Sequence, residues 1–291
     1  MKKIIAAAVA TAFVAPAFAA DVTITGAMEL SYLNEKTTSS TSKTIAEDGS
    51  YQITASTETD GGLSVTASMG IESDGSRETT GNKGLIVKGP HGTLTVGDTS
   101  GAVDQLDGAL GHAYVIHGSG LGGRNDASVA WKLPTLVENL SITATYSSED
   151  GAADEAAGFT TADTQGVALK YSINDLSIGY AQEDVAGVDY SMIALGYSFG
   201  GAALTYENNE EDAAGTTTDN TAWSLAYSMG NTTLVYSNES VESGGSKTVD
   251  NTGIAVHYDL GGGVVLFAES EEDDKASTLD ENFAVGMAMK F

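Results

Sequence analysis

Cysteine is absent from all 291 residues, so no disulfide supports the fold and no thiol chemistry is available to it. Proline occurs only three times, which leaves no proline-rich linker between halves and almost nothing to interrupt extended chain. Positive charge is equally scarce. Thirteen Lys and Arg stand against forty Asp and Glu, a formal charge of −27, and the only arginines are Arg77 and Arg124. A surface of that sign excludes nucleic acid as a partner, since phosphate binding needs a basic face. Long apolar runs are missing too. The single one, Ile4 to Ala15, is too short to span a bilayer as a helix, and nothing downstream could do so.

That run has a purpose of its own. Met1-Lys2-Lys3 is a short positive start, the apolar stretch comes next, and Ala17-Phe18-Ala19 supplies a small-x-small cleavage pattern. The expected organisation is a signal peptide over residues 1–19 and one exported domain over 20–291. Stability must then come from a core or from surrounding lipid.

What is present is period-2 alternation. The spacing predicts sixteen strands, near 22–34, 50–59, 62–73, 83–89, 92–98, 126–133, 139–148, 164–173, 175–183, 189–199, 201–208, 220–229, 231–239, 249–260, 263–270 and 281–291. Val167, Leu169, Tyr171 and Ile173 share one face, with Ala168, Lys170 and Ser172 on the other. Trp223, Leu225, Tyr227 and Met229 repeat the pattern, as do Ile254, Val256, Tyr258 and Leu260. Connections alternate between short Gly/Asn/Asp/Pro turns, such as Asn174-Asp175 and Gly200-Gly201, and longer loops at 35–49, 74–82, 99–125, 149–163, 184–188, 209–219, 240–248 and 271–280. An even number of strands with short turns on one side and long loops on the other predicts an all-β fold, a 16-stranded antiparallel transmembrane β-barrel. Closure removes every edge, which hydrocarbon demands because unpaired backbone groups there cost several kcal/mol, roughly, apiece. Tyr146, Tyr180, Tyr197, Tyr206, Tyr236 and Tyr258 near strand ends suit interfacial girdles. A barrel of this size encloses water, so the geometry implies a passive pore.

The last strand carries a resemblance. Phe283, Val285, Met287, Met289 and the terminal Phe291 are apolar at every second position, with Ala284, Gly286, Ala288 and Lys290 between them. A closing strand that ends on an aromatic resembles the Gram-negative general diffusion porins, and the chain looks most similar to the short acidic porins of alphaproteobacteria. The resemblance implies an outer-membrane channel for small hydrophilic solutes and ions, in contact with outer-membrane lipid and lipopolysaccharide. It also implies a homotrimer packed through the early strands, where Ala55, Thr57 and Ala67 are small, and a third loop folded into the barrel. The connection 99–125 comes after the fifth predicted strand, is rich in glycine, and carries Val103, Leu106, Leu110, Val115 and Ile116 with few charges. Carried over from the family, its side of the constriction is Asp98, Asp104 and Asp107. The family's arginine cluster has no counterpart here. Inward-phase Lys88, Lys132 and Lys170 are the cations left to the wall, together with Lys290 near the rim. Few cations against many carboxylates predict weak cation selectivity.

Other signals carry less. The runs Glu271 to Asp274 and Glu210 to Asp212 suit loosely held Ca²⁺ or Mg²⁺, without EF-hand spacing and so without a specific metal site. His112 and His117 lack a third ligand, and the GxGxxG match at Gly118–Gly123 opens no helix. No GxSxG elbow occurs, so an enzyme is not expected, and no cofactor is called for. Two rivals remain: a secreted or surface-layer β protein that binds cations through acidic loops, and a sugar-specific channel, which would need an aromatic ladder on the inward phase.

Overall fold

In the computed structural model, the described residues are 21–36, 40–72, 84–106, 108, 126–147, 163–274 and 281–291. The expected signal peptide lies outside them, as do Asp107, Arg77, Arg124, His112 and His117. The strands are β1 (Asp21–Lys36), β2 (Thr41–Glu58), β3 (Ser64–Glu72), β4 (Gly84–Gly89), β5 (Gly92–Ser100), β6 (Asp126–Lys132), β7 (Leu140–Ser147) and β8 (Thr164–Ile173), then β9 (Leu176–Val185), β10 (Val188–Phe199), β11 (Ala202–Ala213), β12 (Thr216–Met229), β13 (Thr232–Ser243), β14 (Ser246–Gly261), β15 (Val264–Asp273) and β16 (Glu281–Lys290). Each pairs antiparallel with its sequence neighbours, and β1 pairs with β16 to close the barrel.

Alternation decides the two faces. In an antiparallel ladder, opposed residues share a face, so the register propagates inside and outside around the whole wall. Outward lie Leu176, Ile178 and Tyr180 of β9, opposite Tyr197, Leu195 and Ile193 of β10. Leu204 meets Leu225, which meets Tyr236, which meets Ile254. All of these except Leu176 stand about two-fifths exposed or more, a continuous apolar band that water would penalise and hydrocarbon accepts. Aromatics bound it on both sides: Tyr171, Tyr197, Phe199, Tyr227 and Tyr258 toward the short turns, and Tyr146, Tyr180, Trp223 and Tyr236 toward the long connections. Trp223 and Tyr236 are tilted against each other at 5.3 Å. Beyond the band the outward positions turn to amides and hydroxyls (Gln182, Ser191, Asn208, Thr221, Asn238, Thr252) and then to carboxylates (Asp184, Asp189, Glu210, Asp219).

The short turns fall where expected. Asn174 at φ 50°, and Gly200 and Gly201 at 53° and 85°, adopt the left-handed backbone that tight hairpins need. Four segments expected as loops are instead mostly strand. The segments 35–49, 184–188, 209–219 and 240–248 continue the ladders, and β11 and β12 remain paired out to Ala213↔Thr216. Two-residue turns close three of these hairpins, at Ala186-Gly187, Ala214-Gly215 and Gly244-Gly245, with positive φ at both residues of each. Polar residues on both faces erase the period-2 signal, yet backbone pairing extends wherever such a turn permits it. The asymmetry survives, because all the extended hairpins project from the same end.

The closing seam joins β1 and β16 from Ala27↔Lys290 to Lys36↔Glu281. Phe291 exchanges backbone hydrogen bonds with Gly26, both 3.0 Å, and its ring lies 5.9 Å from that of Tyr51. A Cβ on Gly26 would meet Phe291 Cζ at 2.8 Å, so that close approach requires glycine. Phe283, Val285, Met287 and Met289 all face outward and are exposed, as the apolar phase of the last strand demands.

Candidate functional site

β5 breaks register between Val96 and Thr99, at Gly97, whose φ is 132°. Such a bulge bends a strand and re-aims the residues beyond it. Asp98 sits within it. After Ser100 the chain leaves the wall and makes one compact turn, with Leu106 N–H donating to Val103 O (2.9 Å) and Gln105 N–H to Gly101 O (3.2 Å). This turn lies inside the barrel. Ala102 and Val103 are 0% and 1% exposed, and with Leu106 they pack on Ala168, Ala181 and Met192. Those three are inward residues of β8, β9 and β10, in one register row. Burial of apolar side chains against a wall that would otherwise face water holds the turn there.

The seat is shaped by missing side chains. A Cβ on Gly166 would lie 2.6 Å from Ala102 Cβ, and one on Gly179 would lie 2.8 Å from Leu106 Cδ2. Glu183, next on the inward phase of β9 after Gly179 and Ala181, completes it. The Ala102 N–H donates to Glu183 Oε1 at 3.0 Å, and the Val103 N–H to Oε2 at 3.5 Å. Glu183 is 3% exposed. Further along, Gly108 lies near Glu207, a Cβ there falling 3.8 Å from Oε1, so the connection crosses the inner wall from β5 as far as β11.

The expected constriction residues separate into groups. Asp104 is on the docked turn and half-buried, while Asp107 lies outside the described residues. Lys170 is inward and stands opposite Gly179, hence beside the seat of Leu106. Lys88 and Lys132 flank Thr93 in one register row, at the strand ends next to the short turns, as Lys290 is at the end of β16. The structure therefore brings Lys170 and Asp104 to the same turn and sets Lys88 and Lys132 apart, at the short-turn rim. The inward lysines among the described residues are these four.

Carboxylates dominate the rest of the inner wall. Glu29 faces Asp48 across β1 and β2, and Glu207 and Glu239 flank Ala222 in one row. Glu269 and Glu271 lie next on β15. His257 Nε2 lies 3.2 Å from Glu269 Oε1, a paired imidazole at a lumen position. Around β1 to β3 the wall is hydroxyl-rich, with Thr25 opposite Gln52 and Ser56 bonded to Thr66 at 3.0 Å. Among the described residues no group of three or more His, Asp or Glu converges to hold a metal ion.

Sequence reasoning did not find Glu183, Gly166, Gly179 or Met192. A signal was present: the inward phases of β8 and β9 read Gly166-x-Ala168 and Gly179-x-Ala181, the smallest side chains on adjacent strands. Such a patch marks a place where something else packs.

Comparison with known proteins agrees with this geometry. A family model described as Gram-negative porin matches residues 6–277. No curated protein sequence matches the chain. Among solved structures, OmpF of Salmonella typhi superposes with a TM-score of 0.76 at 12% identity, covering 94% of this chain and 98% of that one. An anion-selective porin from Comamonas acidovorans gives 0.70 at 16%, covering 94% and 100%. OmpT of Vibrio cholerae, solved in a trimer form, gives 0.68 at 17%, with the same coverage of 94% and 100%.

Proposed function

The chain belongs to the Gram-negative porin family, and from that premise we propose a weakly cation-selective version of the outer-membrane diffusion channel that the family and the fold together support. It is an integral outer-membrane β-barrel and a channel for small hydrophilic solutes; family and fold point away from an enzyme. The proposal concerns selectivity and the constriction. Its main support is the inner wall, where carboxylates such as Glu29, Asp48, Glu207, Glu239 and Glu269 occupy β1, β2, β11, β13 and β15 while, among the described residues, three of the four inward lysines sit at the short-turn rim. Charges of one sign in a confined aqueous pore concentrate ions of the other. The fold alone does not set the sign, since the Comamonas neighbour is described as anion-selective on the same architecture.

In this reading the connection 99–125, whose described turn at 101–106 is docked on the wall, narrows the pore, with Asp98, Asp104 and Asp107 on the loop side. Lys170 supplies the nearest wall cation, and Lys88 and Lys132 act as rim charges. The assembly is a homotrimer packed through β1 to β4, whose outward face pairs Ala55 with Ala67 and Thr57 with Val65, small enough for close protein contact. Outside, Asp184, Asp189 and Asp212 stand opposite one another on adjacent strands. Opposed like charges are unfavourable, and loosely associated Ca²⁺ or Mg²⁺ at the acidic runs Glu210 to Asp212 and Glu271 to Asp274 bridges to lipopolysaccharide. Zero-current potentials across bilayers under a KCl gradient test the selectivity: the cation-rich sign is expected, and a clear anion preference refutes the reading.

A further inference from the structure

We propose that Glu183 is the positioning residue that holds the first turn of the 99–125 connection on the inner wall, its carboxylate clamping the Ala102 and Val103 amides while Gly166 and Gly179 provide the space. The inference rests, for its effect on permeation, on the reading of that connection as the constriction.

By itself the turn has little to hold it. Residues 101–106 make only one compact turn, with two internal backbone hydrogen bonds. An isolated turn of this length has no stability of its own in water, because the entropy of fixing it exceeds what so few bonds return. Its position must come from the wall. Apolar contact of Ala102, Val103 and Leu106 with Ala168, Ala181 and Met192 supplies attraction but little direction. The carboxylate supplies direction. Two successive N–H groups converge on its two oxygens, at 3.0 and 3.5 Å, so the turn is fixed in rotation as well as distance. The carboxylate is itself almost fully buried, and a buried charge of this kind persists only where donors meet it. The turn therefore satisfies Glu183 as much as Glu183 holds the turn, and removing either partner leaves the other unpaired.

Glycine at the two floor positions is the second half of the device. Gly166 stands opposite Thr145 on β7 and Glu183 on β9, and Gly179 opposite Lys170 on β8 and Ala194 on β10. Any side chain there would push Ala102 or Leu106 off the wall. At Gly179 all the nearest atoms belong to Leu106, so that glycine serves the seat, whereas a Cβ on Gly166 would also crowd Gln182 O and Thr145 Oγ1, both at 2.9 Å, so that glycine serves the wall as well.

The absence of cysteine permits a direct test. L106C places a single thiol under the docked turn, where the native side chain is 7% exposed. Its rate of reaction with a small water-soluble thiol reagent is compared in the otherwise native chain and with E183A or E183Q, in refolded barrels verified by heat-modifiable migration. Loss of charge-assisted bonds should raise the detached population, and so the labelling rate, about tenfold or more for E183A. E183Q, which keeps shape and one acceptor, should fall between. E183Q serves if E183A does not fold, and G179V, which leaves the carboxylate intact, should accelerate labelling by crowding the side chain at position 106. Single-channel current is recorded on the same proteins, with a larger and noisier conductance expected. Unchanged labelling in E183A and E183Q overturns the clamp. Accelerated labelling with unchanged conductance and unchanged size cut-off upholds the clamp and refutes the constriction reading, so the two failures are distinct.

Discussion

Single side chains matter here mainly where space is withheld. Gly26 lets the Phe291 ring cross the seam beside Tyr51, and Gly166 and Gly179 let a loop lie on a wall. Substituting G26V forces the ring or the β1–β2 ladder to move, because Ser50 O also lies 2.9 Å from the new Cβ. Overpacking of this kind costs ~1–3 kcal/mol. The folded, fast-migrating form of G26V should therefore convert to the unfolded form at a lower temperature than the native protein, and an unchanged conversion temperature would show that the seam absorbs the extra methyls. The alternation of β16 made Phe283, Val285, Met287, Met289 and Phe291 legible as an outward stripe. The partner of the terminal ring was not legible, because Gly26 and Tyr51 are brought to it only by closure.

Strands are the scale at which the sequence spoke most plainly. Wherever one face is lipid and the other water, each residue is constrained by its own immediate surroundings, so period 2 appears in the chain itself. β8, β12 and β14 were legible for that reason, while the polar ends of β11 and β13 were not, having water on both faces. The same logic makes the two faces unequal to mutation. L225R puts a charge in the apolar band of β12, between Leu204 and Tyr236, and should cost ~2–4 kcal/mol near the midplane. S177K, one phase inward on β9 and opposite Ser172, should cost far less. Urea titrations of folding into vesicles measure both, and equal costs would mean that the outer face of β12 does not meet hydrocarbon.

The whole molecule behaves as a wall of dispersed charge around water. No single carboxylate of the inner face defines its field; Glu29, Asp48, Glu207, Glu239 and Glu269 lie on strands spread around the barrel. A field summed from such sources is screened over ~8–10 Å at physiological salt and over ~3 Å at 1 M. The proposed cation preference should accordingly weaken as KCl rises from ~0.1 to ~1 M, approaching the mobility ratio of the free ions. Reversal potentials at several mean concentrations with a constant ratio measure this. A preference independent of salt would place selectivity in a tight, dehydrated filter instead. The excess of carboxylates was legible as a count, and the inward phase of Lys88, Lys132 and Lys170 from alternation; that Lys88 and Lys132 share one row at the short-turn rim came only from register.

The sequence by itself determined that the chain is a barrel of sixteen strands, with lipid outside and water within, because each of those facts acts locally on every second residue. Tertiary structure decided where the first turn of the 99–125 connection, residues 101–106, is seated. Glu183, Gly166, Gly179 and Ala102 are far apart in the chain and ordinary taken singly. They become a seat only when β8, β9 and β10 lie side by side and the Gly97 bulge turns the loop toward them, and no period in a linear sequence records that meeting.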